Sequence, residues 1–266
     1  MAKLFIRGSV MVLLFVMSWL TLSKVDWITI LRIEKLNRSV EQKLGSLIWE
    51  LVRNSDQEIQ RKKITSTIDS LLMRICSANH LDHNSIRIHV IGNPEINAFA
   101  LPDRRVVLFS GLIADCENEA ELCGVICHEL AHIELDHVMK KLVKEIGLSV
   151  LISITTGNTS GEIVKETARI LSSTAYDRNL EREADLKASY YLDHARIDPR
   201  SFANFLARLS QNRSQPGIQL AWLSTHPDSK ERSEYILEYS RALRYDFEPF
   251  LKGDSWSRFR KSLDGI

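Results

Sequence analysis

The sequence predicts an α+β fold that is mainly helical, with one small β-sheet beside a central helix. Three observations carry this. Apolar residues recur at helical spacing through most of the chain. Strand-like alternation appears over 86–90, followed by two short runs at 97–101 and 105–109. The residues best suited to chemistry sit on a helical pattern directly after that stretch. The 266 residues suffice for one sizeable core, and 26% charged residues with 11 Gly and 6 Pro suit neither a disordered nor a low-complexity chain. Lys and Arg number 35 against 34 Asp and Glu, which gives no electrostatic case for a nucleic-acid partner.

At the N-terminus, Lys3 and Arg7 flank the start of an uncharged run over 8–23. With residues 4–6 included and Arg7 snorkelling, the run reaches membrane-spanning length. Residues 1–23 are therefore expected to be an uncleaved signal anchor or a cleaved signal peptide, and residues 24–266 one domain. The stretch 34–79 reads as helix, with Leu36, Val40, Leu44, Leu47, Ile48, Leu51 and Val52 in one apolar series and Ile64, Ile68, Leu71, Leu72 and Ile75 in a second. Ile86, Ile88 and Val90 alternate with Arg87 and His89, a half-buried strand. The runs 97–101 and 105–109 are two further strands, and Pro102, Asp103 and Arg104 between them suit a hairpin turn. The pattern is helical again from Glu117 to about Lys144. Further helices are expected over 162–175, 181–195, 199–210 and 229–243. The apolar stretch 146–157 is too short to span a membrane and reads either as core or as a membrane-facing segment near the site. Cys76, Cys116, Cys123 and Cys127 are too few and too clustered for a disulfide framework and are read as small buried apolar residues.

The chemistry centres on His128-Glu129-Leu130-Ala131-His132, with Leu122, Val125, Ile126, Leu130 and Ile133 apolar around it at helical spacing. At 100° per residue, His132 lies 40° from His128 and one turn on, so both imidazoles grip one cation. Glu129 falls beside that position, where it can hold a water without being a ligand. Neutral imidazoles with an open position suit catalytic Zn²⁺. A shuffled chain of this composition shows the pattern roughly 0.02 times. His137, 180° from His128 on a continuous helix, is expected to miss the metal and to be a surface or packing residue. A third ligand is needed. Glu181 and Asp185, four apart in Glu-Arg-Glu-Ala-Asp, share a helix face: one carboxylate suits the metal and the other the free ring N–H of a ligand histidine, while Glu183 points away.

Together these motifs resemble the membrane-associated zinc endopeptidases that include HtpX, the CaaX prenyl proteases and the mitochondrial Oma proteases. The resemblance extends to Asn97-Ala98-Phe99-Ala100-Leu101-Pro102, to Phe109-Ser110-Gly111-Leu112-Ile113, and to Thr225-His226-Pro227 with Arg232 six residues after the histidine. It covers about residues 80–240 and is nearest the compact bacterial periplasmic branch, LoiP-like or like the protease domain of BepA.

The resemblance implies a gluzincin-type HExxH domain binding one Zn²⁺ per chain. His128, His132 and Glu181 would be its ligands, Glu129 the general base and Asp185 the residue orienting a histidine. His226 matches a loop histidine that in some relatives fills the fourth zinc position and shuts the enzyme, so it stands as fourth ligand or regulator. His226 or Arg232 could supply the oxyanion donor. Asn97, Ala98, Phe99 and Ala100 are expected to form an exposed strand edge, on which extended substrates add by backbone hydrogen bonds. Such recognition disfavours folded substrates and implies quality control of unfolded or misassembled envelope and membrane proteins. The chain would be held at the membrane by its N-terminal segment with the domain in the bacterial periplasm, or be soluble there if that segment is cleaved. The alternative is a protease-like chaperone or assembly factor that binds clients with little turnover. A small-molecule zinc hydrolase is disfavoured by an open strand edge.

Overall fold

A computed structural model describes Arg7, residues 11–14 and 16–18 and, between Arg38 and Leu263, all residues except 159, 213–220, 228, 244–245, 248 and 252. The chain divides into two units, Met1–Asn37 and Arg38–Ile266. In the first, the described residues are helical and Met11, Val12, Leu13 and Leu14 are exposed. The remainder of the expected anchor lies outside the described residues. Among the described residues, no helix is long and apolar enough to cross a membrane.

The second unit opens with α1 (Arg38–Ser55) and α2 (Lys62–Ala78). The expected single helix over 34–79 is thus broken. Between the two helices, Ile59 donates its N–H to Val90 O at 2.8 Å and Gly92 to Gln57 O at 2.8 Å, so the connection runs as an extended segment beside the sheet. Burying Ile59 (6% exposed) against the sheet outweighs helix continuity there.

The sheet contains β1 (Arg87–Ile91), β2 (Ala98–Leu101) and β3 (Arg105–Phe109) in the order β1-β3-β2. β1 is parallel to β3, and β2 and β3 form the expected antiparallel hairpin. Its turn places Asp103 and Arg104 at positive φ (65° and 54°). The short α3 (Ser110–Asp115) leads to α4 (Glu119–Glu134). The N-terminus of α4 is capped by Asn118, whose side chain accepts from Glu121 N at 3.0 Å. All of α4 except Ala120 and Glu134 is buried. Gly124 lets α4 approach Phe202 so closely that a Cβ at Gly124 would lie 2.4 Å from Phe202 Cβ.

The sequence reading runs one helix to Lys144. Instead α4 stops at Glu134, Asp136 adopts φ 57°, and α5 (His137–Ile146) starts in a new direction. The helices α6 (Leu148–Thr156), α7 (Gly161–Ser173), α8 (Arg178–His194), α9 (Pro199–Asn212), α10 (Ala221–Thr225), α11 (Ser229–Arg241) and α12 (Ser255–Lys261) complete the unit. In the apolar stretch, Leu151 and Ile154 of α6 are buried and Ile152 is exposed. The four cysteines are buried and free, as expected.

The hairpin edge requires a correction. β2 does lie at the edge of the sheet, but Asn97, Ala98, Phe99 and Ala100 are at most 2% exposed. α4 and α7 pack against β2, and Asn97 reaches across to Ser172 O. Phe109 N–H bonds Asn97 O, so in this register Asn97, Phe99 and Leu101 pair with β3 while the amides of Ala98 and Ala100 face the free edge.

Candidate metal centre and active site

Four elements bring the site together. α4 supplies His128, Glu129 and His132, and α8 supplies Glu181 and Asp185. His226 follows α10, and α11 supplies Arg232; all seven side chains are buried. One ligand atom from each of His128, His132, Glu181 and His226 lies within 4.8 Å of the others. His132 Nε2 is 3.0 Å from His128 Nε2 and 3.4 Å from Glu181 Oε1. His226 Nδ1 is 3.2 Å from His128 Nε2 and 2.9 Å from Glu181 Oε1.

The donor set fits a dication. Burial lowers the pKa of His128, and it takes His132 and His226 down to about 4, so these rings are neutral with lone pairs to offer. Burial alone would raise Glu181, but Arg232 and His226 hold it well below the carboxylate range. Asp185, which burial would likewise raise, is held at about 2 by Arg232 and His128. Glu181 and Asp185 are thus held ionised around the guanidinium of Arg232, with the ammonium of Lys141 farther back on α5. Three neutral nitrogens and one carboxylate oxygen are a ligand set suited to zinc.

Glu129 stands beside the donors. Its Oε1 is 3.4 Å from His226 Nε2 and 3.5 Å from the Trp222 indole nitrogen. Burial and the charge of Glu181 push its pKa up to about 8, against the pull of Trp222, Lys141 and the outward-facing Ala100 amide. Asp185 Oδ1 is 2.9 Å from His128 Nδ1, which aims Nε2 of that ring into the cluster. Arg232 bonds Asp185 through Nε (2.7 Å) and Nη2 (2.8 Å), and its Nη1 lies 2.6 Å from Glu181 Oε2. Tyr235 also donates to Asp185. The guanidinium considered as an oxyanion donor is thus committed to two carboxylates.

Sequence reasoning missed or misread four neighbours. His137 is fully buried, with Nδ1 3.0 Å from His132 Nδ1. It remains outside the donor cluster, but it is no surface residue, because the break at Asp136 turns it back toward α4. Glu183 does point away from the donors, yet its Oε2 is 3.3 Å from His137 Nε2. Tyr176 stacks on His132 (centroids 4.0 Å, 21°), and Trp222 packs on His226 (4.7 Å) one turn earlier in the chain. Spacing from Trp222 to His226 was the available signal for the tryptophan; Tyr176 lies in a loop and had none.

A helix-borne His-Glu-x-x-His with a carboxylate from a second helix, closing on one point, defines an HExxH metallopeptidase. The comparisons with known proteins agree. The profile of peptidase family M48 matches residues 59–240. The chain is 29% identical over 177 residues to the mitochondrial metalloendopeptidase OMA1 of Schizosaccharomyces pombe, covering 66% of this chain and 52% of that protein. It is 31% identical over 163 residues to the OMA1 metalloendopeptidase of Bos taurus (56% and 31%). It is 25% identical over 204 residues to the beta-barrel assembly-enhancing protease of Escherichia coli (72% and 42%). The chain therefore spans about half the length, or less, of these relatives. It belongs to peptidase family M48, the zinc metallopeptidases.

Proposed function

We propose that the chain is a zinc endopeptidase that cleaves unfolded or misassembled polypeptides of a cell envelope or membrane. The observation that carries this is the position of Glu129: fully buried, outside the ligand group, and between the donors and the free edge of β2. His128, His132 and Glu181 would hold zinc, which supplies a Lewis acid for water and for the scissile carbonyl.

The remaining chemistry belongs to the chain. Asp185 and Arg232 lock His128 and Glu181 in place, so the donors need no reorganisation. Glu129, standing beside the donors, takes a proton from water at its carboxylate and returns it to the leaving amine. The Ala98 and Ala100 amides offer an extended peptide the free edge of β2. Since β2 is covered, binding there requires α7 and the residues around His226 to yield.

His226 favours a regulated enzyme. Its Nδ1 faces the ligands and its Nε2 faces Glu129, so the ring fills the space that water and substrate need. This geometry corresponds to a closed form, and His226→Ala is expected to raise basal proteolysis or self-cleavage. Unchanged or lower activity would instead assign His226 to the transition state or to structure. Residues 1–23 serve in this reading as a membrane anchor or a cleaved signal, with the domain in the periplasm. Fractionation of cells expressing the full chain tests that assignment: recovery of the uncleaved protein in the cytosol contradicts it.

A further inference from the structure

We propose that His137 and Glu183 form a positioning relay that fixes the protonation of His132 and thereby makes its Nε2 available to zinc. The inference rests on the metallopeptidase reading and adds two residues to it.

Proton bookkeeping carries the argument. To act as a ligand, His132 must present a bare Nε2, so its proton sits on Nδ1. That Nδ1 faces His137 Nδ1 at 3.0 Å, and the two nitrogens form a hydrogen bond only if one carries a proton and the other does not. His137 must therefore be bare at Nδ1 and protonated at Nε2. Its Nε2 faces Glu183 Oε2 at 3.3 Å, and an ionised carboxylate only accepts. Glu183 thus sets the tautomer of His137, and His137 sets that of His132. The opposite chain of protons would place one on His132 Nε2, where zinc binds.

Ring orientation is fixed separately. Tyr176 stacks on one face of His132 at 4.0 Å, and Lys141 Nζ lies 4.1 Å from the Tyr176 ring centre while donating to Thr174 O. Stacking holds a ring plane but cannot choose between its two nitrogens; the contact of Nδ1 with His137 does. His128 has a corresponding arrangement in Asp185, with one difference. Asp185 is buried and tied to Arg232, whereas the Glu183 side chain is 58% exposed. The His132 arm therefore ends at a carboxylate that can be removed without opening the core.

The test is zinc affinity, read by competition with a chromophoric chelator, together with the visible spectrum of the cobalt-substituted protein. His137→Ala, which leaves the His132 Nδ1–H without an acceptor, should weaken zinc binding about 10- to 100-fold. Glu183→Ala should weaken it about tenfold at neutral pH, with the thermal midpoint of the metal-free protein unchanged. His137→Asn sets an amide oxygen where Nδ1 was and needs no outer carboxylate. It should bind zinc and give the cobalt spectrum of the wild type, and Glu183→Ala should cost nothing further in that background. Wild-type affinity in Glu183→Ala, or an equal cost of Glu183→Ala with and without His137→Asn, overturns the relay even if His137→Ala fails to fold. Wild-type protein that binds no zinc overturns the metallopeptidase reading and the relay together; zinc binding by wild type with no change in the variants overturns the relay alone.

Discussion

Asp185→Asn separates the work of the buried ion pair from that of the metal. Asp185 accepts two bonds from Arg232 and one from Tyr235, and lies 2.9 Å from His128 Nδ1. The amide keeps the shape but removes the charge, leaving the buried Arg232 with Glu181 as its remaining carboxylate partner. Breaking a buried pair on one side costs about 3–5 kcal/mol, which for a domain of this size lowers the melting temperature by roughly 6–20 °C. Glu181 is drawn toward Arg232 and His128 loses its acceptor, so zinc affinity should also fall about 10- to 100-fold. Asp185→Leu with Arg232→Leu removes both charges of that pair but leaves the buried Glu181 without its guanidinium, so this variant too should melt below the wild type and bind zinc weakly. Thermal melts of metal-free protein and chelator competition measure the two quantities. If Asp185→Asn keeps both its melting temperature and its zinc affinity, the bracing role assigned to Asp185 and Arg232 is wrong.

Three further outcomes are expected. The metal-free protein should lose stability as pH falls from about 6.5 toward 4. The unfolded chain takes up protons on its histidines first, while His132 and His226 hold pKa values near 4 in the fold, for at most roughly 3 kcal/mol each. A melting temperature that stays flat over that interval in the metal-free protein would contradict their burial in neutral form. Gly124→Ala should lower the urea midpoint by about 1–3 kcal/mol equivalent, because its Cβ would press on Phe202; an unchanged midpoint would show that α9 can move away freely. Disruption of the free edge by Ala100→Pro should abolish cleavage of unfolded protein while zinc stays bound, since the lost amide faces the site rather than β3. Normal cleavage would remove the edge from substrate binding.

Local pattern made the ligand helix and the hairpin legible, because their signals are short-range. His128 and His132 are paired by helical pitch alone, and 97–101 and 105–109 are short runs on either side of turn residues. Glu181 and Asp185 were legible as a pair on one face, although their meeting with His128 depends on packing between α8 and α4. The failures lie where a tertiary contact overrides local pattern. The break near Ile59 arises from pairing with the sheet, and burial of β2 arises from α4 together with α7, which is 60 residues downstream. His137 stays outside the donors as a packing residue, one of the two roles expected, but its contact with His132 was not foreseen, because a helical wheel assumes an unbroken helix and one left-handed residue at Asp136 turns it toward that ring. Arg232 was recognised as part of the site, but residue type alone could not reveal that its whole fork is occupied by Asp185 and Glu181.

The central claim is that a dication held by His128, His132 and Glu181 works with a separate base, Glu129. Its most direct test compares metal content and cleavage of unfolded casein in purified wild type and Glu129→Gln. The account predicts one zinc per chain in both proteins and cleavage by wild type alone. Zinc missing from wild type, or casein cut at the wild-type rate by Glu129→Gln, would contradict it. Complementation of a deletion strain by Glu129→Gln would shift the biological role toward client binding without turnover.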